Sequence, residues 1–205
     1  MRTNACKPKI TAVILSGGAG TRFGGLDKGL EKYQGRPLIE HVIERVTQQA
    51  DDIMLCINRN HRQYQGYGYT IVSDPQRSND DFQGPLAGIR SVLQTFKDKQ
   101  TALSNHQLLI SSCDTPNIPL GYASKLYSSM LENNASSAVV FDGQRKQNLH
   151  CLIDSSAWQS LQAFYDEGGR AMHRWHKKNG SIEVDFSDQT ACFSNINSRE
   201  LLEQP

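Results

Sequence analysis

Residues 10–29 read ITAVILSGGAGTRFGGLDKG, an almost unbroken apolar run followed at once by a glycine-rich loop. A run rich in β-branched residues and closed by glycine has the look of a strand buried on both faces, the kind that parallel sheets require. Gly17, Gly18, Gly20, Gly24 and Gly25 all fall in the loop. Each can take a positive φ, and together they let the backbone come close to a ligand. Arg22 and Lys28 add two cations to the same stretch. Backbone N–H groups and cations at a strand end form an anion site, and phosphates suit it best. Two familiar phosphate loops do not match. Counted from Gly18, the dinucleotide pattern G-x-G-x-x-G needs glycine where Phe23 stands. The Walker A loop needs Gly-Lys-Ser/Thr, whereas Lys28 lies between Asp27 and Gly29. A glycine turn with solvated charges is the plainer alternative; the position at a strand end argues for the anion site.

Working outward, short apolar runs at 53–57 (IMLCI), 69–73 (YTIVS), 107–112 (QLLISS) and 137–141 (SAVVF) alternate with helical periodicities. One helix is expected from about Pro37, with Leu38, Val42 and Val46 on one stripe, and others over about 86–96 and 119–131. Residues 147–153 (QNLHCLI) read as a further strand, with antiparallel pairing open. Helical patterns at 155–166 and 169–179, a short strand near 191–194 and a closing helix from Ser198 complete the chain. The expected fold is α/β: one domain over 1–205, with a mostly parallel, Rossmann-like sheet covered by helices on both faces. Ligands of such sheets collect beyond the carboxyl ends of the strands. The polar segment 75–85, PQRSNDDFQGP, follows a strand end and reads as a functional loop.

Composition narrows the function. Twenty-two Lys and Arg balance 21 Asp and Glu, for a net charge of +1 over 205 residues. That balance argues against broad contact with nucleic acid or an anionic membrane, while leaving room for a local basic pocket. No apolar stretch approaches the roughly 20 residues of a membrane span. The opening MRTNACKPKI has no secretory apolar run. Five cysteines, far apart and never in C-x-x-C, point to neither a disulfide framework nor a zinc site. The expectation is a reduced, cytoplasmic protein. His173 and His176 in HRWHKK have no acidic or cysteine partner nearby, and with Trp175, Lys177 and Lys178 the stretch reads as a solvated helix end. With Arg170 and Arg174, it is also a candidate for attracting an anionic substrate or delivery partner. His61, His106 and His150 show no recognisable partners and are assigned no role.

The run LSGGAGTRFGGLDK resembles the signature loop of small nucleotidyltransferases, and most closely that of the molybdenum cofactor guanylyltransferases. QGPLAGI at 83–89, SCDTP at 112–116 and NINSREL at 195–201 agree in order and spacing, so the resemblance spans nearly the whole chain. It implies transfer of GMP from GTP to molybdopterin with release of pyrophosphate. It further implies a nucleotide-binding N-terminal half, a pterin-binding C-terminal half, and transient contacts with proteins that deliver the pterin or mature molybdoenzymes. Carried over by residue, Leu15, Ser16, Gly17 and Gly18 would meet the nucleotide through backbone, and Lys28 its phosphates. Asp74 would meet guanine, whose N1–H and N2–H₂ a carboxylate can accept. Asp114 would hold Mg²⁺. Arg22, Asn195 and Asn197 would join the catalytic set, and Gly84, Pro85 and Gly88 the substrate-binding set. The chain departs from the family at Cys56, where asparagine is frequent; Asn58 stands nearby as a substitute. It also lacks a proline in Gln147-Asn148-Leu149, the segment implied to face the pterin.

The implied chemistry suits these residue types. A phosphate monoester carries about −1.5 to −2 charge at neutral pH, so the nucleophile needs no general base. The barrier is repulsion between anions and charge on the leaving pyrophosphate, met by positioning and positive charge. Mg²⁺ on Asp114, with Lys28 and Arg22, would supply that charge. The plainer alternative for Asp74 before Pro75 and for Asp114 before Thr115-Pro116 is a turn former. For Asn195 and Asn197 the plainer alternative is ending a strand and beginning the last helix. Transfer from CTP, transfer to a sugar phosphate, or non-catalytic nucleotide binding are the competing functions.

Overall fold

In a computed structural model, residues 7–16, 27–74, 84–98 and 104–196 are described. Gly17, Gly18, Arg22, Asn197, most of the 75–85 loop and the helix expected from Ser198 lie outside these residues. The first strand, β1 (Lys9–Leu15), is buried at every position after Lys9. It lies mid-sheet because a run apolar on both faces cannot tolerate water on either. Among the described residues the main sheet orders seven strands as β5-β4-β1-β6-β8-β7-β9, with β4 at Asp52–Cys56, β5 at Thr70–Val72, β6 at His106–Ser112, β7 at Ser137–Phe141, β8 at Lys146–Asp154 and β9 at Ile182–Asp185. β5, β4, β1 and β6 pair in parallel, β8 is antiparallel to both β6 and β7, and β9 is parallel to β7. The expected mostly parallel sheet is therefore present, with β8 as its one reversed strand.

Alternation along β1 divides the core. Ile10, Ala12 and Ile14 face one hydrophobic cluster and Val13 and Leu15 the other. On the first face lie α1 (Leu38–Thr47), α2 (His61–Gln65) and α4 (Tyr122–Glu132). On the second lie α3 (Pro85–Asp98), α5 (Trp158–Asp166) and α6 (Met172–Asn179). α1 shows why such segments become helices: Leu38, Val42 and Val46 recur every fourth residue and are fully buried. Each is worth about 1.5–3 kcal/mol of burial. Pro85 occupies the first turn of α3, where its missing N–H costs nothing.

Three local features depart from expectation. Residues 32–37 form a small hairpin, β2 (Lys32–Tyr33) with β3 (Arg36–Pro37), around Gln34 and Gly35 at φ 48° and 80°. Two consecutive positive φ values are the hairpin turn that matches strand twist. The strand expected at 191–194 is instead part of a 3-10 run, Ser187–Phe193, in which Phe193 packs edge-on to Phe186 at 5.3 Å. The edge position belongs to β9, with its alternating Ile-Glu-Val-Asp. The solvated reading of HRWHKK also fails in part: Met172, Trp175 and His176 form a buried stripe of α6, with Trp175 at 0 % exposure, while His173, Lys177 and Lys178 face outward. Spacing of i, i+3, i+4 places those three on one face. No helix among the described residues is long and apolar enough to cross a membrane.

Candidate active site

The chain runs from β1 outward to β4 and β5, then crosses back to β6 on the other side of β1. That reversal leaves a crevice at the carboxyl ends of β1 and β6. The register aligns Leu15 with Cys56 and with Ser112. The same edge therefore carries Ser16, Asn58, Asp74 and Asp114 just past their strands. A cavity of about 600 Å³ around Lys7, Asn105, Gln107 and Leu131 has no comparable convergence of charge.

At the centre of the crevice the Lys28 Nζ donates to Asp114 Oδ2 at 2.7 Å, across 86 residues. Both side chains are largely shielded, at 20 % and 16 % exposure, where charge is screened less than at a surface. Burial by itself would raise the Asp114 carboxyl. The Lys28 ammonium, helped by a hydrogen bond from Ser112, outweighs it and holds the group below the ordinary carboxylate value. Thr115 Oγ1 reaches both Asp114 Oδ1 and Asn195 Oδ1, at 3.4 and 3.2 Å, and Ile196 N–H donates to the Asp114 carbonyl at 2.8 Å. Asn195 is thus tied beside Asp114. Among the described residues no cluster of three His, Cys, Asp or Glu side chains forms. Asp114 accordingly offers one hard carboxylate.

On the β4–β5 side, Asn58 Nδ2 donates to Asp74 Oδ2 at 2.8 Å while Asp74 N–H donates to Asn58 Oδ1 at 3.0 Å. Burial raises the Asp74 carboxyl, and Asn58 offsets part of that rise. Cys56 is buried beside it, and burial, with Asp74 nearby, pushes its thiol up so that it stays protonated. Gly88 closes this corner: a Cβ there would lie 3.3 Å from both Asp74 Oδ1 and Cys56 Cβ. Cys56, Asn58, Asp74 and Gly88 are therefore one group. Gly84 and Pro85 begin α3 elsewhere, with Gly84 at φ 73° and its missing Cβ 3.1 Å from the Arg170 carbonyl. The Leu15 carbonyl accepts from Cys113 N–H and the Ser16 N–H donates to the Cys56 carbonyl. The group Ser16 presents inside is its hydroxyl.

On the β8 side, a cavity of about 290 Å³ joins Asp114 and Asn195 to Arg145, Lys146 and His150. A second, of about 620 Å³, shares Arg145, Lys146 and Asn148 and extends to His173, His176 and Lys177. Gln147 is turned toward Asp142, donating to it at 2.6 Å, and Asn148 lines both cavities. His150 is buried between the rings of Tyr122 and Phe193. Burial pushes its imidazole down to about 4 although Asp114 pulls the other way, so it is neutral at pH 7. Arg170, read from sequence as an anion attractant, donates to the carbonyls of Tyr165 and Gly169 and stacks over Tyr165 at 4.1 Å.

The residues missed from sequence are those that hold Lys28 in place. Asp27 caps the 3-10 turn Lys28–Leu30, accepting from Gly29 N–H, and Tyr64 and Asn60 also donate to it. An acidic residue just before a turn was a readable signal for Asp27. Tyr64 had none, because α2 is only five residues long.

Residues 12–180 match the sequence model of the MobA-like NTP transferase domain. A molybdenum cofactor guanylyltransferase of Shewanella sediminis is 36% identical over 196 residues, 96% of this chain and 95% of the relative. One of Shewanella halifaxensis is 36% identical, over 96% of this chain and 93% of the relative. The crystal structure of a molybdopterin-guanine dinucleotide biosynthesis protein A from Archaeoglobus fulgidus superposes with a TM-score of 0.72 over 94% of each chain at 18% identity, a likeness of fold. With its match over most of its length and these relatives, the chain belongs to the MobA-like NTP transferases and is an enzyme of the nucleotidyltransferase type.

Proposed function

We propose that this enzyme transfers GMP from GTP to the terminal phosphate of molybdopterin, forming the guanine dinucleotide cofactor and releasing pyrophosphate. The observation that carries the reading is the shielded Lys28–Asp114 pair at the carboxyl edge of β1 and β6, 2.7 Å apart. Joining two anions requires opposite charge at the bond that breaks. The names of the curated relatives supply the substrates.

In this reading the base lies at Asp74, where a carboxylate braced by Asn58 accepts from guanine N1–H and N2–H₂. Cys56 packs below as a neutral thiol. Lys28, with Arg22 and the backbone of Gly17 and Gly18, takes the outer phosphates. The acceptor enters from the β8 side, past Arg145 and Lys146, with Asn195 at the junction and Asn197 joined to it by the motif alone; the C-terminal half is then its binding half. The acceptor phosphate is already the nucleophile, so a neutral, enclosed His150 is no obstacle. Mg²⁺ fits the donor set: Asp114 is an anionic hard-oxygen ligand, with Lys28 on Oδ2 and a long 3.4 Å contact from Thr115 on Oδ1. Phosphate oxygens and water would complete its shell. When bound, the ion would supply positive charge to the reacting phosphates. Asp114 would hold it there, and Lys28 would keep the leaving pyrophosphate charge-matched. The free thiols at Cys56, Cys113, Cys151 and Cys192 suit the reducing cytoplasm. Transient docking of pterin-delivery and molybdoenzyme-maturation proteins belongs to the same reading.

The test is turnover of molybdopterin with GTP, CTP, ATP and UTP in Mg²⁺. The expected result is a guanine dinucleotide product and pyrophosphate from GTP at least tenfold faster than from the others. Faster reaction with CTP would reassign the nucleotide, and binding without turnover would reduce the protein to a carrier.

A further inference from the structure

We infer that Tyr64 is a positioning residue for the transfer: its hydroxyl joins Ser16 to Asp27 and so fixes the turn that presents Lys28 to Asp114. The inference rests on the reading of Lys28 as the group that meets the outer phosphates.

The geometry is a closed chain of donors. Tyr64 is fully buried in α2, and its hydroxyl donates to Asp27 Oδ1 at 2.8 Å. A phenol has one proton, so the 2.7 Å contact with Ser16 Oγ is a bond that Ser16 donates. Asp27 takes two more donors, Gly29 N–H on Oδ1 at 3.2 Å and Asn60 Nδ2 on Oδ2 at 3.0 Å. One buried carboxylate thereby gathers the end of β1, the 3-10 turn and the entry to α2, stretches up to 48 residues apart. Bonds to an ionised acceptor are the strong kind. The turn is also pressed against these hydroxyls: a Cβ on Gly29 would lie 2.1 Å from Ser16 Oγ and 2.5 Å from Tyr64 Oη. The backbone of Lys28 is thus held on both sides, by Asp27 before it and Gly29 after it, and its ammonium meets Asp114 Oδ2 at 2.7 Å.

Packing does not require this hydroxyl. Phenylalanine would fill the same space against the cluster of Ile14, Ile57 and Tyr67. The oxygen is enclosed, so it acts on Lys28 and not on substrate. A misplacement of about 1 Å in a charged group near a reacting phosphate can cost on the order of a hundredfold in rate.

The experiment is a double-mutant cycle in the full chain, with Tyr64→Phe, Lys28→Ala and the double variant. It reads kcat/KM for GTP, calorimetric affinity for GTP and GMP, and melting temperature. Tyr64→Phe should lower kcat/KM at least tenfold and weaken GTP more than GMP. In the Lys28→Ala background it should add less than a twofold change. A variant equal to the parent, or the same factor in both backgrounds, overturns the inference. Should Lys28→Ala weaken GTP and GMP alike, the phosphate reading of Lys28 itself fails, which is a different result from additivity. Asn60→Gly is the second arm: it keeps the residue's left-handed backbone, φ 54°, and removes only the amide on Asp27. The same triphosphate-selective loss is expected, about threefold or more, and its absence counts equally against the relay.

Discussion

Two hydrogen-bond chains flank Asp114, and they end differently. On the proposed nucleotide side, Ser16 donates to Tyr64, Tyr64 and Asn60 donate to the Asp27 carboxylate, and the residue after it is Lys28. On the β8 side, Asn179 donates to Ser137 at 2.9 Å, Ser137 meets Ser181 at 2.7 Å, Ser181 meets His176 Nδ1 at 2.9 Å, and His176 Nε2 meets the Asn148 carbonyl at 3.1 Å. A carbonyl only accepts, so Nε2 carries the proton, Nδ1 accepts from Ser181, and Ser181 accepts from Ser137. This second chain is neutral throughout. The first chain fixes a cation at one place. The second fixes a wall, and the cations beside it, Arg145 and Lys146, stay exposed, with Lys146 paired to Glu183 at 2.8 Å. A triphosphate that must be cut at one bond calls for the first arrangement. An acceptor that enters from bulk water is served by the second, since exposed cations steer an anion without holding it rigidly.

Asp114→Asn breaks the comparison at its centre, where both sides meet, and carries the largest expected effect. The amide is nearly isosteric but loses the charge that faces Lys28 and any bound cation. kcat should fall about a thousandfold, the scale of losing a charge-stabilising group at a phosphoryl centre. GTP affinity should stay within a fewfold, because the base corner at Asp74 and the turn at Lys28 remain. Stopped-time product assays beside calorimetry check both. Turnover within tenfold of the parent would remove Asp114 from the reacting centre.

The same contrast explains what the sequence made legible. β1 and its glycine loop were readable because burial on both faces leaves a continuous apolar run, and Asp114 and Asp74 because they follow such runs directly. The first half repeats this strand–helix grammar, and its site residues fall at strand ends. The relay was not readable, since Tyr64 lies on a five-residue helix whose placement depends on Asn60 taking a positive φ. In the second half, β8 runs against its neighbours and β9 is a four-residue edge strand. Periodicity there could not separate the buried stripe of α6 from its basic face. Trp175 and His176 stand among Arg174, Lys177 and Lys178, and composition outvoted spacing. Gly88 carries its substrate assignment from the motif alone; its closeness to Asp74 needed three dimensions, because it depends on how α3 packs on β4 and β5.

His176 sharpens the comparison through pH. Burial, with Lys146 from β8 and His173 from its own helix, pushes its imidazole down from 6.5 to about 4, against the pull of the Asn148 carbonyl. The folded value lies below the unfolded one, so between about 4 and 6.5 the unfolded chain binds more protons. Stability is therefore full above 6.5 and is lost as pH falls toward 4. A drop of about 2.5 units corresponds to a loss on the order of 3 kcal/mol. His176→Gln, whose amide can still donate to Asn148 and accept from Ser181, should flatten that slope by about half in urea unfolding at pH 4.5 and 7. His150, also pushed to about 4, and His106, lowered by burial, keep the remainder. An unchanged slope would mean that the neutral chain at α6 is not what acid breaks.

The smallest effect tests the far end of the nucleotide side. Gly88→Ala adds a methyl 3.3 Å from Asp74 Oδ1 and 3.4 Å from Cys56 Sγ, closer than side chains normally sit, so Asp74 must yield by a few tenths of an ångström. Within α3 the exchange also removes a glycine, worth about 1 kcal/mol in helix propensity, so the melting temperature should stay level or rise slightly. In the proposed reading, Asp74 sits at the base and Lys28 at the phosphates. The variant should therefore raise KM for GTP about three- to tenfold and leave kcat alone, because the displaced group binds the ground and transition states equally. A fall in kcat at constant KM would instead put Asp74 beside the reacting phosphate, and the division between a base corner and a charged centre would have to be redrawn.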